Sequence, residues 1–291
     1  MRDLTSHPPS VPYSFSMINL IKLMPEWNWP QFDEIMSKAQ TKNVELVPGM
    51  VLGPEWDQYI TQPSAASDAL ALLMNSYSVT SIQSLTYDLN INLADVLRTN
   101  NDVLRRFHSL AHLGGLLKCK VFVLGSPGQK KMNTLYTDPE ALKKQFTENC
   151  AWFASVLTPS GTLSIEHNTK SQGADYCNTL SDIVDVVTEL RKAGIQNVGI
   201  NLDTKCLIDE FGDSLHLAEL IDTYKLETIV TSIQVSLDLL TRSGRKDRTE
   251  EKMLFQLAKT QGCPISLEEF GLQNQQLNEF ISAWQAAQNS F

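Results

Sequence analysis

Two apolar periods alternate along the chain. Runs of period two, which suit a half-buried or buried strand, occur at Val44 to Val47, Val79 to Tyr87, Lys120 to Leu124, Gly161 to Glu166, Val198 to Leu202, Thr228 to Val235 and Cys263 to Leu267. A mixed apolar and Ser/Asn segment, Tyr13 to Leu20, reads as a strand ahead of them. Between the runs, apolar residues recur at helical spacing, as in Phe32, Ile35, Met36 and Ala39. The same spacing predicts helices over Ala69 to Met74, Asp102 to Leu117, Leu142 to Leu157, Asn178 to Ala193, Leu215 to Tyr224, Glu250 to Gln261 and Asn274 to Gln288. Asp138-Pro139-Glu140 is a strong helix opening, with a capping carboxylate and a proline in the first turn.

Regular strand and helix alternation, repeated eight times, implies parallel strands with crossover helices. At 291 residues the closed (β/α)8 TIM barrel is the expected fold, α/β in class and a single domain over residues 13–291. No G-x-G-x-x-G follows the first strand to favour a doubly wound open sheet. Residues 1–12, with three prolines, read as a flexible lead-in.

Composition narrows the partners. A net charge of -9 disfavours nucleic acid and anionic membrane surfaces, which are bound through clustered Lys and Arg. Five cysteines without CxxC spacing fit buried thiols in a reducing compartment. With no N-terminal apolar run and no stretch near the ~20 apolar residues of a membrane span, a cytoplasmic location is expected.

Barrel chemistry collects at the C-terminal ends of strands, where the following loops converge. That rule selects Glu45, Tyr87, Gly125-Ser126, Glu166, Asp203, Gln234 and Glu268. The last four come from consecutive strands and make three carboxylates and one amide carbonyl. Such a hard oxygen set suits Mn²⁺ or Mg²⁺, with Co²⁺ or Zn²⁺ as further candidates. Crowded carboxylates repel unless a cation offsets them.

The segments Leu163-Ser164-Ile165-Glu166-His167-Asn168, Asn201-Leu202-Asp203-Thr204, Ile233-Gln234-Val235-Ser236 and Ile265-Ser266-Leu267-Glu268, preceded by Val123-Leu124-Gly125-Ser126-Pro127, resemble the xylose isomerase-like TIM barrel superfamily of sugar phosphate isomerases and epimerases. The resemblance runs from about Tyr13 to the end. It implies a ligand set of Glu166, Asp203, Gln234 and Glu268 around one divalent cation, with Glu166 and Glu268 also the catalytic acid and base. Gln234 stands where that pattern has His, although hydroxypyruvate isomerases of the superfamily also carry Gln there. Cys206 occupies the position of a substrate-contacting His in the tagatose epimerase branch. A sugar phosphate isomerase branch with a Gly-Ser-Pro-Lys-Asn-Arg loop and Glu-Pro-Asn after strand five is matched by Gly125 to Lys130 and by Glu166-His167-Asn168. By that likeness Lys130, Asn168 and Tyr176, with Glu45 from the strand-end rule, are the expected substrate-binding residues.

Remaining signals carry less. Alternation turns His167 away from Glu166, towards packing, and His108 and His112 belong to a helix surface. Trp27, Trp29 and Trp56 suit either a sugar-pocket wall or packing between loops. Arg242, Arg245, Lys246 and Arg248 make a basic loop that suits either a phosphate or solvent. The histidines of an endonuclease IV-type metal centre are missing from these strand ends. The expectation is a metal-dependent isomerase or epimerase of a small sugar, sugar phosphate or hydroxy-keto acid, working through an enediolate and as a homodimer. A metal-dependent dehydratase and a non-catalytic carbohydrate-binding barrel are the alternatives.

Overall fold

Eight parallel strands hydrogen-bond in sequence order, and the eighth returns to the first to close a barrel. The computed structural model describes residues 13–20, 22–24, 26–60, 68–132, 137–157, 161–241, 249–269 and 272–288. The expected lead-in at 1–12 and the basic residues Arg242, Arg245, Lys246 and Arg248 lie outside these. The strands are β1 Tyr13–Ser16, β2 Asn43–Leu46, β3 Ser78–Ile82, β4 Val121–Leu124, β5 Thr162–Glu166, β6 Val198–Asp203, β7 Val230–Val235 and β8 Ile265–Leu267. Helices follow each strand, among them Trp29–Ala39, Asn101–Leu117, Pro139–Val156 and Leu180–Lys192, so the chain is a (β/α)8 barrel as its periodicity predicts.

Local chemistry sets the helix starts. Asn28, Asn100, Asp138 and Thr179 each accept a hydrogen bond from a first-turn backbone N–H, and prolines fill the first turn at Pro30 and Pro139. Between barrel wall and helices lies the apolar core, with Leu163, Ile165, Ile200, Leu202, Ile233, Val235, Ile265 and Leu267 all fully buried.

The barrel interior is polar instead of a stack of aliphatic layers. Ser164 and Ser232 hydroxyls meet at 2.7 Å, and Ser232 Oγ donates to Asn201 Oδ1 at 2.7 Å. Glu45 is buried within, accepting from Ser81 Oγ at 2.8 Å and Ser266 Oγ at 3.2 Å. Burying a carboxyl there is tolerable because its oxygens have donors.

Three boundaries differ from expectation. The first strand stops at Ser16, and Met17–Leu20 forms a 3₁₀ turn. The third stops at Ile82, because Ser84 adopts φ 58°, a left-handed conformation that no strand can contain. A helix at Thr204–Phe211, absent from the periodicity reading, begins directly on β6, capped by Asp203 Oδ1 accepting from Lys205 N at 2.6 Å and Cys206 N at 3.3 Å. No helix among the described residues is long and apolar enough to cross a membrane, and all five cysteines are free and buried.

Candidate active site

A cavity of about 520 Å³ opens at the C-terminal mouth of the barrel. Glu166, Asp203 and Glu268 line it, together with Gln83, Asn168, Lys205 and Tyr87. Three of the four strand-end oxygen residues therefore share one space.

Glu166 is held on both oxygens. Asn168 Nδ2 donates to Oε1 at 2.6 Å, Asn201 Nδ2 approaches Oε2 at 3.4 Å, and Cys206 Sγ lies 3.7 Å from Oε1. Asn168 is itself fixed, accepting from Ser126 N at 3.0 Å. Gly125 leaves room beside this carboxyl. A Cβ there would stand 2.8 Å from Glu166 Cδ and closer still to Oε2.

Burial and crowding by neighbouring carboxylates raise all three carboxyls of the site. Burial, then the neighbouring Asp203, pushes the Glu166 carboxyl up to about 8. Burial pushes Asp203 up to about 6, and burial followed by Glu45, Asp203 and Glu166 raises Glu268 well above the ordinary carboxylate range. Among the described residues, Glu166, Asp203 and Cys206 form a trio whose ligand atoms lie within 4.8 Å of one another.

Gln234 has another place. Its Nε2 donates to Glu45 Oε1 at 2.9 Å and to Glu268 Oε2, while its Oε1 accepts from Asn201 Nδ2. Two carboxylates on the nitrogen side and an amide donor on the oxygen side determine this orientation. The carbonyl expected to face an ion is thus already engaged, and Gln234 bridges carboxylates instead. Gln83 does the same from β3's end, donating from Nε2 to Glu45 Oε1 at 2.9 Å, to Glu268 Oε2 at 3.1 Å and to Ser16 Oγ.

Other expected site residues are displaced from the cavity. Lys130, expected at the substrate, is fully buried: its Nζ donates to the Glu166 backbone carbonyl at 2.9 Å and sits 5.3 Å from the centre of the Phe146 ring. Its loop tucks inward, so the ammonium supports β5 from behind and burial lowers its pKa. Tyr176 is likewise buried, with its hydroxyl donating to Asn92 Oδ1 at 3.1 Å. Glu45 lies beneath the cavity, inside the barrel, joined to the site through Gln83 and Gln234. His167 packs away from Glu166, 3.3 Å from Glu210, and burial lowers it to about 4, so it is neutral. Trp27 packs on Trp29 and Phe32, and Trp56 is buried under Arg106.

Two residues of the site, Gln83 and Asn201, are not among those the strand-end rule selects, and Cys206, which stands where the tagatose epimerase branch has His, lies against Glu166. Asn201 had a signal, since it precedes Asp203 by two on one strand and so shares its face. Gln83 had none, because the third strand was expected to continue past it.

No protein family and no curated protein matches the sequence. Solved structures do match in three dimensions. The apo form of 3-keto-D-glucoside 4-epimerase YcjR from E. coli aligns with TM-score 0.65 and 10% identity over 96% of this chain and 100% of that one. An AP endonuclease of family 2 from Brucella melitensis gives 0.65 and 15%, covering 95% and 99% of the two chains. The IOLI protein with a zinc atom gives 0.62 and 13%, covering 96% and 97%. The chain shares the (β/α)8 barrel fold of these proteins. At these identities the likeness is one of fold, and the chemistry has to be argued from the site itself.

Proposed function

We propose that this barrel is a divalent-metal-dependent isomerase or epimerase of a small sugar, acting through an enediolate. The observation that carries the reading is the convergence of Glu166, Asp203 and Glu268 on one cavity, each with its carboxyl raised by burial. These residues fit a divalent cation, because three crowded and largely buried carboxyls lack a compensating cation among the described lining residues: Lys205 is paired with Asp238. Held by these carboxylates, a divalent cation would stabilise the oxyanion that develops when a carbon-bound proton leaves.

The chain's own residues would do the rest. Glu166 on β5 and Glu268 just past β8 stand on different sides of the barrel mouth, as proton acceptor and donor for the two carbons or two faces of a substrate. Paired donors on Glu268 Oε2, from Gln83 and Gln234, hold that carboxyl in one orientation, and Asn168 does so for Glu166. Tyr87, 64% exposed at the mouth, offers a ring face to a sugar. Asp209 and Glu269 add two further carboxylates to the wall, which favours an uncharged sugar over a phosphate ester or a keto acid.

The test is solvent deuterium incorporation into a panel of ketoses, aldoses, their phosphates and keto acids, with metal analysis of the full chain purified without chelator. Exchange without loss of water, abolished by Glu268→Gln and by chelation, supports the reading. Water loss would make the enzyme a dehydratase, and no exchange in a metal-loaded protein would sink catalysis of this kind.

A further inference from the structure

The cation site has a vacancy and a candidate to fill it. Gln234, the fourth strand-end residue, turns its carbonyl to Asn201 and its amide to Glu45 and Glu268. On the other side of Asp203, the helix that Asp203 caps brings its third residue, Cys206, against Glu166. We propose that Cys206 is a metal ligand in this chain, completing a Glu166, Asp203 and Cys206 trio that selects a thiophilic ion of the Zn²⁺ or Co²⁺ class over Mg²⁺. The proposal rests on the metal-dependent reading above and names which ion that site takes.

Geometry carries it. In a tetrahedral site, Zn–O near 2.0 Å and Zn–S near 2.3 Å put the two donor atoms ~3.5 Å apart. Cys206 Sγ and Glu166 Oε1 are 3.7 Å apart, and all three donor atoms fall within 4.8 Å of one another. The sulfur is fully buried, and its further polar neighbours are Gln172 Oε1 at 3.4 Å and the Asp203 carboxyl, acceptors that orient the thiol group in the site. With Glu268, on the same cavity, left to proton transfer, three protein ligands and an open position are the arrangement of catalytic zinc. Mg²⁺, by contrast, takes hard oxygen ligands and gains nothing from sulfur.

Position explains why one residue can do this. Cys206 lies three residues beyond Asp203, one helical turn, so the cap that fixes Asp203 Oδ1 on the Cys206 backbone N–H also fixes the side chain of Cys206 near that carboxylate. On binding, the thiol loses its proton to solvent and the sulfur lone pair forms the metal bond, so each ion bound releases a proton from Cys206. The other four cysteines belong to no metal-binding trio among the described residues.

The experiment is an anaerobic Co²⁺ titration of the metal-free full chain, read by absorbance. A thiolate-to-cobalt charge-transfer band in the near ultraviolet, saturating with the visible ligand-field bands, is expected. Cys206→Ser should lose that band while keeping the visible bands, and should lose Zn²⁺ affinity by ~100-fold or more with Mg²⁺ affinity nearly unchanged. Protection of a single thiol from alkylation by Zn²⁺ in the wild-type chain, mapped to Cys206 by mass spectrometry, supports the ligand without relying on the variant's folding. Cobalt bound without a charge-transfer band would overturn Cys206 as ligand and leave the carboxylate site standing. No cobalt bound at all would overturn both, and deuterium exchange that persists in the metal-free chain would overturn the metal-dependent reading by a separate route.

Discussion

Gln234 on β7 donates through Nε2 to Glu45 Oε1 on β2, 2.9 Å across the barrel, between strands that are not neighbours in the sheet. The bond closes a chain of side chains, Glu45, Gln83, Glu268, Gln234, Asn201 and Glu166, that ties the barrel interior to the cavity above it. Replacing Gln234 with Leu should leave both carboxylates short of a donor and cost about 1–3 kcal/mol in urea denaturation. An unchanged midpoint and slope would show that the bridge contributes nothing.

Gly125 leaves room for the Glu166 carboxyl. In Gly125→Ala the new methyl must push that flexible end aside, because Cβ would stand 2.8 Å from Cδ. Displacing a reacting carboxylate by about 1 Å can cost ~10²-fold in rate. The expected outcome is a loss of that order in kcat with little change in Tm, and wild-type turnover in the variant would remove Glu166 from the reaction.

Stability of the metal-free chain should depend on pH through Glu166. Its folded pKa is about 8 against an ordinary 4.5, so between these values the folded chain retains a proton that the unfolded chain has released. This stabilising contribution is complete below 4.5 and is lost as pH rises through 8; Asp203 adds the same sign between 3.8 and about 6. Thermal melts should show Tm falling with pH across this window, less steeply in Glu166→Gln, and a bound divalent ion should reverse the trend. Parallel melting profiles for the two proteins would refute the raised carboxyl.

Lys130 is a test of support against substrate binding. Its buried Nζ donates to the Glu166 carbonyl, so Lys130→Met should cost about 1–3 kcal/mol by removing that buried donor. Any rise in KM should be equal for phosphorylated and unphosphorylated sugars. A selective loss for phosphates would return Lys130 to the substrate.

The barrel was legible in the sequence because its two periods are imposed by burial. Leu163 and Ile165 must face one way along β5, and Phe32, Ile35 and Met36 must cover one side of a helix, whatever the neighbours are. Glu166, Asp203 and Glu268 were legible for the same reason, since a strand's end is also a place in a barrel. What packs behind those ends was not. Lys130 follows a loop motif that suits a phosphate, yet the loop folds inward and spends its ammonium on a backbone carbonyl.

By itself, then, the sequence determined which segments are strands and helices, their closure into a barrel and the three carboxylates at its mouth, because these follow from local periodicity and strand polarity. Only the tertiary structure decided that Gln234 reaches across to Glu45, that Lys130 stands behind Glu166, and that Cys206 meets Glu166 at 3.7 Å. Those depend on distances between residues 36 to 189 positions apart, which side-chain orientation inside a closed barrel sets and spacing along the chain does not.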